Sequence, residues 1–136
     1  MRATLEVEGL AQMQRSLRQI GPAAAKGLRL ALNEAADLLI DRVRPKIPSR
    51  TGAARRSLKA RSSQKAVRIA VGGRRAPYYP WLDFGGRVGP GDSVVRPYIA
   101  DGRYLYPGLR ANRDEIQKLI DRRLREVAED AGLEVD

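Results

Sequence analysis

The chain has 136 residues, enough for one domain with a core of its own, and its 43% hydrophobic and 31% charged residues suit a folded protein. It has no cysteine and no histidine, which excludes zinc fingers, disulfide frameworks, thiol chemistry and histidine-based triads. The net charge of +10 is unevenly spread: residues 49–77 carry nine Lys/Arg and no Asp/Glu, and nothing acidic lies between Asp41 and Asp83. A tract of one sign in a nearly neutral chain seeks an acidic partner, whether a phosphate backbone or an acidic protein face.

Thr4 to Glu8 alternates apolar and polar residues and predicts a short strand, broken by Gly9. Leu10, Met13, Leu17 and Ile20 recur at helical spacing, and Gly21-Pro22 ends that helix. A longer helix is expected from Ala23 to Arg44. Its stripe is Leu28, Leu32, Ala35, Leu39 and Val43, widened by Ala31, Leu38 and Ile40, and Pro45 and Pro48 close it. At 1.5 Å per residue it is about 33 Å long. Ser57–Ser62 and Val67–Val71 alternate, with Ser63-Gln64 between them, and read as a hairpin with one apolar and one basic face. Tyr78–Phe84 reads as a third strand, with Leu82 and Phe84 on one side and Tyr79, Trp81 and Asp83 on the other; Pro80 places it at an edge or confines it to residues 81–84. Four glycines between Gly85 and Asp92 predict a loop. A second hairpin is expected from Val94–Ile99 and Arg103–Tyr106 around Asp101-Gly102, ended by Pro107-Gly108. Asn112 with Glu115 three residues on resembles a capping box opening the last helix, whose face is Ile116, Leu119, Ile120, Val127 and Ala131 with Leu124 at its edge; Gly132 ends it and the last four residues fray.

These elements describe an α+β fold: a small antiparallel sheet of hairpins packed against a long central helix and a C-terminal helix. A single domain is expected over 1–136. It comprises an N-terminal strand and two helices (1–48), hairpins and a Gly-rich loop (49–107), and a final helix (108–132). No apolar run approaches the ~20 residues of a membrane span, so no membrane partner is expected. Met1-Arg2-Ala3-Thr4 leads into Glu6 and Glu8 rather than into the apolar core of a signal peptide.

Without His or Cys, a general base must be Asp, Glu, Lys or Tyr, and the acids cluster on helix surfaces. Asp37 and Asp41, four apart, could share a metal, but their setting reads as a solvated helix face. Gly72-Gly73-Arg74-Arg75 lacks the strand–GxxxxGK[ST]–helix context of a phosphate loop. The expectation is no enzyme and no cofactor. Nucleic-acid binding is the first competitor: Arg55, Arg56, Lys59, Arg61, Lys65, Arg68, Arg74 and Arg75 could line a groove, with Tyr78, Tyr79 and Trp81 stacking bases. A structural interaction protein is the second, because open strand edges and a single-sign patch can meet an acidic helix head to tail around a ring.

Two segments carry a more specific signal. The long helix ends in Ile47-Pro48-Ser49-Arg50-Thr51-Gly52, followed by Ala54-Arg55-Arg56-Ser57-Leu58; later comes Tyr79-Pro80-Trp81-Leu82-Asp83-Phe84-Gly85-Gly86. With Val7-Glu8-Gly9-Leu10 before them and Arg103-Tyr104-Leu105-Tyr106-Pro107 after, this order resembles the head–tail connector, neck or tail-completion proteins of tailed phages, related to the minor tail protein Z of lambda-like phages. The resemblance spans roughly residues 7–125. It departs at Asp83, where that family more often has Glu, and over Val88–Ala100, which is longer than the usual loop.

The motif residues also have local readings: Pro48 stops the helix, and Thr51-Gly52 turns the chain toward a strand opened by Ser57-Leu58. Trp81, Leu82 and Phe84 are expected to give the sheet buried area, and Gly85-Gly86 a sharp turn or a close approach to another chain. The resemblance implies a virion component made in the host cytoplasm. It would form a homo-oligomeric ring, with six copies, at the neck or upper tail, where it joins or completes the head–tail interface around the DNA channel. Its neighbours would be the head-completion (stopper) and tail-terminator proteins, with passing contact with DNA. The seven cations Arg55, Arg56, Lys59, Arg61, Arg68, Arg74 and Arg75 are the expected partner-binding residues. They either dock an acidic neighbour, the favoured reading, or face DNA, where a dense arginine ring would grip a strand that must slide.

Overall fold

The computed structural model describes residues 1–7, 9–62 and 66–132. The expected Ser63-Gln64 turn, Lys65, Glu8 and the last four residues lie outside that range. The chain order is β1 (Arg2–Leu5), α1 (Leu10–Ile20), α2 (Pro22–Val43), α3 (Ala53–Arg56), β2 (Lys59–Ala60), β3 (Val67–Ala70), α4 (Tyr79–Phe84), β4 (Gly86–Val88), β5 (Val94–Arg96) and α5 (Leu105–Asp130). Single 3₁₀ turns lie at Arg44–Lys46, Gly73–Arg75 and Pro90–Asp92.

The fold is α+β, with a three-stranded antiparallel sheet of order β1-β3-β2 and a separate two-stranded ribbon, β4-β5. Strand β3 is central because its alternation is the cleanest: Val67 and Ile69 point into the core while Arg68 points out. Strand β1 repeats the pattern, burying Ala3 and Leu5. The inner face lies on α2, whose predicted stripe is buried from Leu28 to Val43 except for half-buried Leu38. Pro22 begins α2, where its missing N–H costs no hydrogen bond. Helix α1 packs on α2 through Leu10 and Leu17, while Ile20 is left exposed.

Helices α2 and α5 form the main helical pair. Arg42 meets Glu115 at 2.7 Å and Arg123 meets Glu34 at 2.7 Å, so the start of α5 lies beside the end of α2 and the two run antiparallel. Small residues set the approach: a Cβ on Gly27 would fall 2.6 Å from a Val127 methyl, and one on Gly108 would fall 2.6 Å from a Val43 methyl. The contact between Glu34 and Arg123 holds the Glu34 carboxyl below its ordinary range, chiefly through the hydrogen bond itself.

Five expected elements are corrected. Of Ser57–Ser62 only Lys59–Ala60 is strand. Ser57 instead caps α3: its hydroxyl donates to Ala54 O at 2.6 Å and accepts from Gly72 N at 2.9 Å. Tyr78–Phe84 is helix, not a third strand, because Pro80 is accommodated in the first turn and Tyr79 and Asp83, four apart, share the buried face. Trp81, Leu82 and Phe84 are consequently only half-buried, and Tyr79 takes the core position.

The glycine-rich segment is not all loop: β4 pairs with β5 in the register Gly86↔Arg96 to Val88↔Val94 across a short local turn. Val94–Ile99 therefore does not pair with Arg103–Tyr106, which passes into α5. That helix opens at Leu105 rather than at Asn112, whose amide lies inside it and donates to Gly108 O at 2.7 Å. At the far end Ala131 is exposed and Gly132, at φ 81°, follows the last turn as expected.

Candidate functional site

Strand pairing assembles the cationic tract into a surface. In the observed register Arg2, Ala70 and Lys59 lie side by side across the sheet, and Thr4 faces Arg68. Arg61 N donates to Arg68 O at 2.8 Å, so Arg61 extends the second row. Alternation turns these residues outward, away from α2, and Arg2, Lys59, Arg61 and Arg68 are all exposed. At one end of the face Gly72 and Gly73 turn the chain, and Arg74 and Arg75 close over a groove of about 380 Å³ also lined by Arg2, Lys59 and Arg61. Among the described residues none of these six cations is ion-paired. The exposed acids Asp37, Asp41, Asp114, Asp121 and Glu129 lie on α2 and α5, each of which carries as many Lys/Arg as Asp/Glu.

The seven expected partner-binding residues therefore divide. Lys59, Arg61, Arg74 and Arg75 share the groove, and Arg68 lies on the same face. Arg56 is exposed on α3. Arg55 is engaged within the chain: its Nε donates to Ile47 O at 2.7 Å and its Nη2 to Pro45 O at 3.3 Å, tying α3 to the segment that follows α2. Arg2, absent from the expected set, joins the face through β1. Its only sequence signal is the alternation of Arg2–Leu5, which says that Arg2 points out but not which strand it borders.

The second motif forms a buried polar hub. Asp83 has no solvent exposure. Its Oδ1 accepts from Arg103 N at 2.6 Å and Tyr104 N at 3.0 Å, and its Oδ2 from Leu105 N at 3.2 Å and the Tyr79 hydroxyl at 2.8 Å. The three amides form the entry to α5, so one carboxylate on α4 caps another helix and faces the positive end of its dipole. Burial, followed by the bond to Asp83, pushes the Tyr79 phenol far above its ordinary value of 10.0. The Arg103 guanidinium continues the tie, donating to Asp83 O at 3.0 Å and to Pro97 O. The Asp83 carboxylate and the Tyr79 hydroxyl are bonded and closed to solvent, so the hub is an architectural joint with no open position for a reactant.

The two motif segments also meet each other. Pro48, Arg50 and Thr51 with Tyr78, Trp81 and Leu82 line a mostly apolar cavity of about 530 Å³. The Trp81 indole N–H donates to Gly86 O at 3.1 Å, and the Arg96 guanidinium lies 5.8 Å from its ring centre. Tyr79 is in the core and Trp81 and Tyr78 line this separate cavity, so the expected run of base-stacking aromatics does not border the basic groove.

Among the described residues no group of three or more acids is placed to hold a metal, and no helix is long and apolar enough to cross a membrane. No family model, curated protein or solved structure matches the chain.

Proposed function

We propose that this chain is a structural virion protein that assembles as a homo-oligomeric ring at the head–tail junction of a tailed phage. It joins neighbouring rings through surface complementarity and performs no chemistry. The observation that carries the reading is the sheet face: among the described residues, six cations without an ion pair lie on one side of a sheet whose other side is covered by helices of nearly balanced charge. A surface of one sign is suited to docking an acidic face on an adjoining protein. The phage setting rests on the resemblance of Pro48–Leu58 and Tyr79–Gly86. That the ends of these two segments meet in one cavity gives their joint occurrence a structural reason.

The test is charge reversal on the face. Lys59→Glu, Arg61→Glu and Arg68→Glu together are expected to leave folding intact, since all three are exposed, and to abolish head–tail joining in a complementation assay. Infectious particles at normal yield, or intact particles with no density for this chain at the neck, would overturn the proposal.

The same six cations favour a second reading, binding to duplex nucleic acid through phosphates. It expects tight binding at ~0.15 M salt, with a log–log salt slope approaching minus five if about six phosphates are neutralised. The observed separation of the aromatics from the groove weighs against the single-stranded version.

A further inference from the structure

The groove on the cationic face has a shape as well as a sign. Ala70, half-buried in the central strand, lies between Arg2 on β1 and Lys59 on β2. Its floor is thus a methyl group, and its walls are long cations whose backbones stand about 10 Å apart, two strand spacings. Arg61 extends one wall, and Arg74 and Arg75 close one end. The turn that carries them is held by Gly72 N, which donates to the Ser57 hydroxyl at 2.9 Å. Among the described residues no acid lines the groove. Glu6, the one acid of residues 1–7, is four residues from Arg2, about 13 Å along an extended chain. A helix, about 10–12 Å across with its side chains, is too wide to sink between these walls, whereas a single extended chain fits.

The most acidic cation-free stretch of the sequence is 126–136. Helix α5 is balanced as a whole, but after Arg125 come Glu126, Glu129, Asp130, Glu134 and Asp136 and no Lys or Arg. Glu126 is held by Arg123 at 2.9 Å, whereas Glu129 and Asp130 are exposed and, among the described residues, not ion-paired. Glu134 and Asp136 are two apart, so an extended chain places them on one side about 7 Å apart. The same step separates the row of Arg2 and Lys59 from the row of Arg68 and Arg61. This stretch does not reach the groove of its own chain. The Tyr106 hydroxyl donates to Arg2 O at 3.4 Å, and Thr4 to Glu6 lie beside Leu109 to Arg113, so the groove sits at the end of the sheet nearest the start of α5. From Tyr106 to Asp130 the helix rises about 36 Å, and the six residues after Asp130 span at most about 20 Å.

We propose that the groove takes residues 129–136 of a second copy of the chain, with Glu134 and Asp136 laid between the two cationic walls. This rests on the reading of the sheet face as a docking surface for an acidic partner, and it names that partner. The pairing is heterologous, segment to groove, so each copy offers a groove on one side and a segment on the other, and repetition closes a ring when the rotation permits. Eight residues cover less than the roughly 800 Å² per partner of a standard interface, so the segment is a tether added to broader contacts between subunits.

Because the chain has no cysteine, the contact can be read by cross-linking with every charge kept in place. Ala70→Cys, on the groove floor, and Val135→Cys, in the segment, are made in separate full-length chains, with melting curves to verify that both fold. Mixed one to one and oxidised, they are expected to give a covalent dimer roughly tenfold more abundant than either gives alone. The dimer is expected to disappear at about 1 M salt, where charges are screened beyond about 3 Å. A mixture that gives no cross-link overturns the proposal. So does a cross-link that survives neutralising the segment by Glu129→Gln, Asp130→Asn, Glu134→Gln and Asp136→Asn together, or an intramolecular link in a dilute chain carrying both cysteines. Tight binding of a short DNA duplex in a mixture without the cross-link would give the groove to phosphates instead. No cross-link, with head–tail joining still lost on charge reversal of the sheet face, would remove this occupant and leave the docking reading; a cross-link from a chain absent from particles would do the reverse.

Discussion

Replacing Asp83 by alanine tests whether one carboxylate organises the middle of the chain. The substitution removes four acceptor contacts at once, to Tyr79 Oη and to the amides of Arg103, Tyr104 and Leu105. An orphaned buried donor costs about 1–3 kcal/mol, and four would sum to more than the whole stability of many domains. The sum overstates the effect, because water can enter the vacated space and the α5 entry can fray. With about two of the neutral donors left without a partner, the expected cost is about 3–5 kcal/mol. For a chain of this length that lowers Tm by roughly 10–20 °C.

Asp83→Asn discriminates the mechanism. It can still accept from Arg103 N and Tyr104 N through its oxygen, but it presents an NH₂ to the Leu105 amide, so about half the loss is expected. Urea unfolding followed by circular dichroism measures both variants, and hydrogen exchange at Arg103–Leu105 locates the loss. An Asp83→Ala midpoint within about 0.5 kcal/mol of the parent, the size of an ordinary surface change, would refute the capping argument.

Tyr79→Phe is expected to cost about 1–2 kcal/mol near neutrality through the lost bond to Asp83. The folded state keeps this phenol protonated above its ordinary value of 10.0 while the unfolded chain releases the proton, so the tyrosine's contribution is complete below about pH 10 and declines above it. The stability gap between parent and variant should therefore narrow by about 1.4 kcal/mol per pH unit beyond that point, and a gap constant from about pH 8 to about pH 11 would contradict it. Arg55→Ala is expected to destabilise by about 1–2 kcal/mol through the bonds to Ile47 O and Pro45 O, while leaving binding to an acidic partner nearly unchanged. Reduced binding with an unaltered melting curve would return Arg55 to the docking face.

The helices α1 and α2 and the strand β3 are legible in the sequence because local period determines them: a stripe such as Leu28-Leu32-Ala35-Leu39-Val43 has one way to be buried. The segments from Tyr78 to Leu109 are not, and the reason is the same in each case. Tyr79–Phe84 satisfies an alternating pattern as well as a helical one, and what decides is that Tyr79 bonds Asp83, whose carboxylate in turn accepts from three amides some twenty residues downstream. Asn112 and Glu115 imitate a helix start, but the true start is capped by Asp83, which no local window contains. The cationic face was legible as a tract but not as a set. Period placed Lys59, Arg61 and Arg68 outward, whereas Arg2 joins them only through the pairing of β1 with β3, and Arg55 leaves them because the segment after α2 offers two carbonyls within its reach.

Asp83-Phe84-Gly85-Gly86 then has a reading wider than a turn. Asp83 fixes the entry of α5 and, through Tyr79, the core; two residues later Gly85 permits the hairpin's backbone to lie against the end of α4. Gly102, at φ 76°, is part of the same joint, since a Cβ there would fall 2.6 Å from the Asp83 carboxylate. A ribbon anchored this way cannot pivot freely without breaking the cap of the longest helix. Its exposed valines and Tyr98 are thus held out from a stiff base, which lowers the ordering cost of seating them on another surface. The internal packing of the motif and the outward presentation of the hairpin are two effects of one arrangement. A change at Asp83 is accordingly expected to weaken assembly even where the monomer still folds.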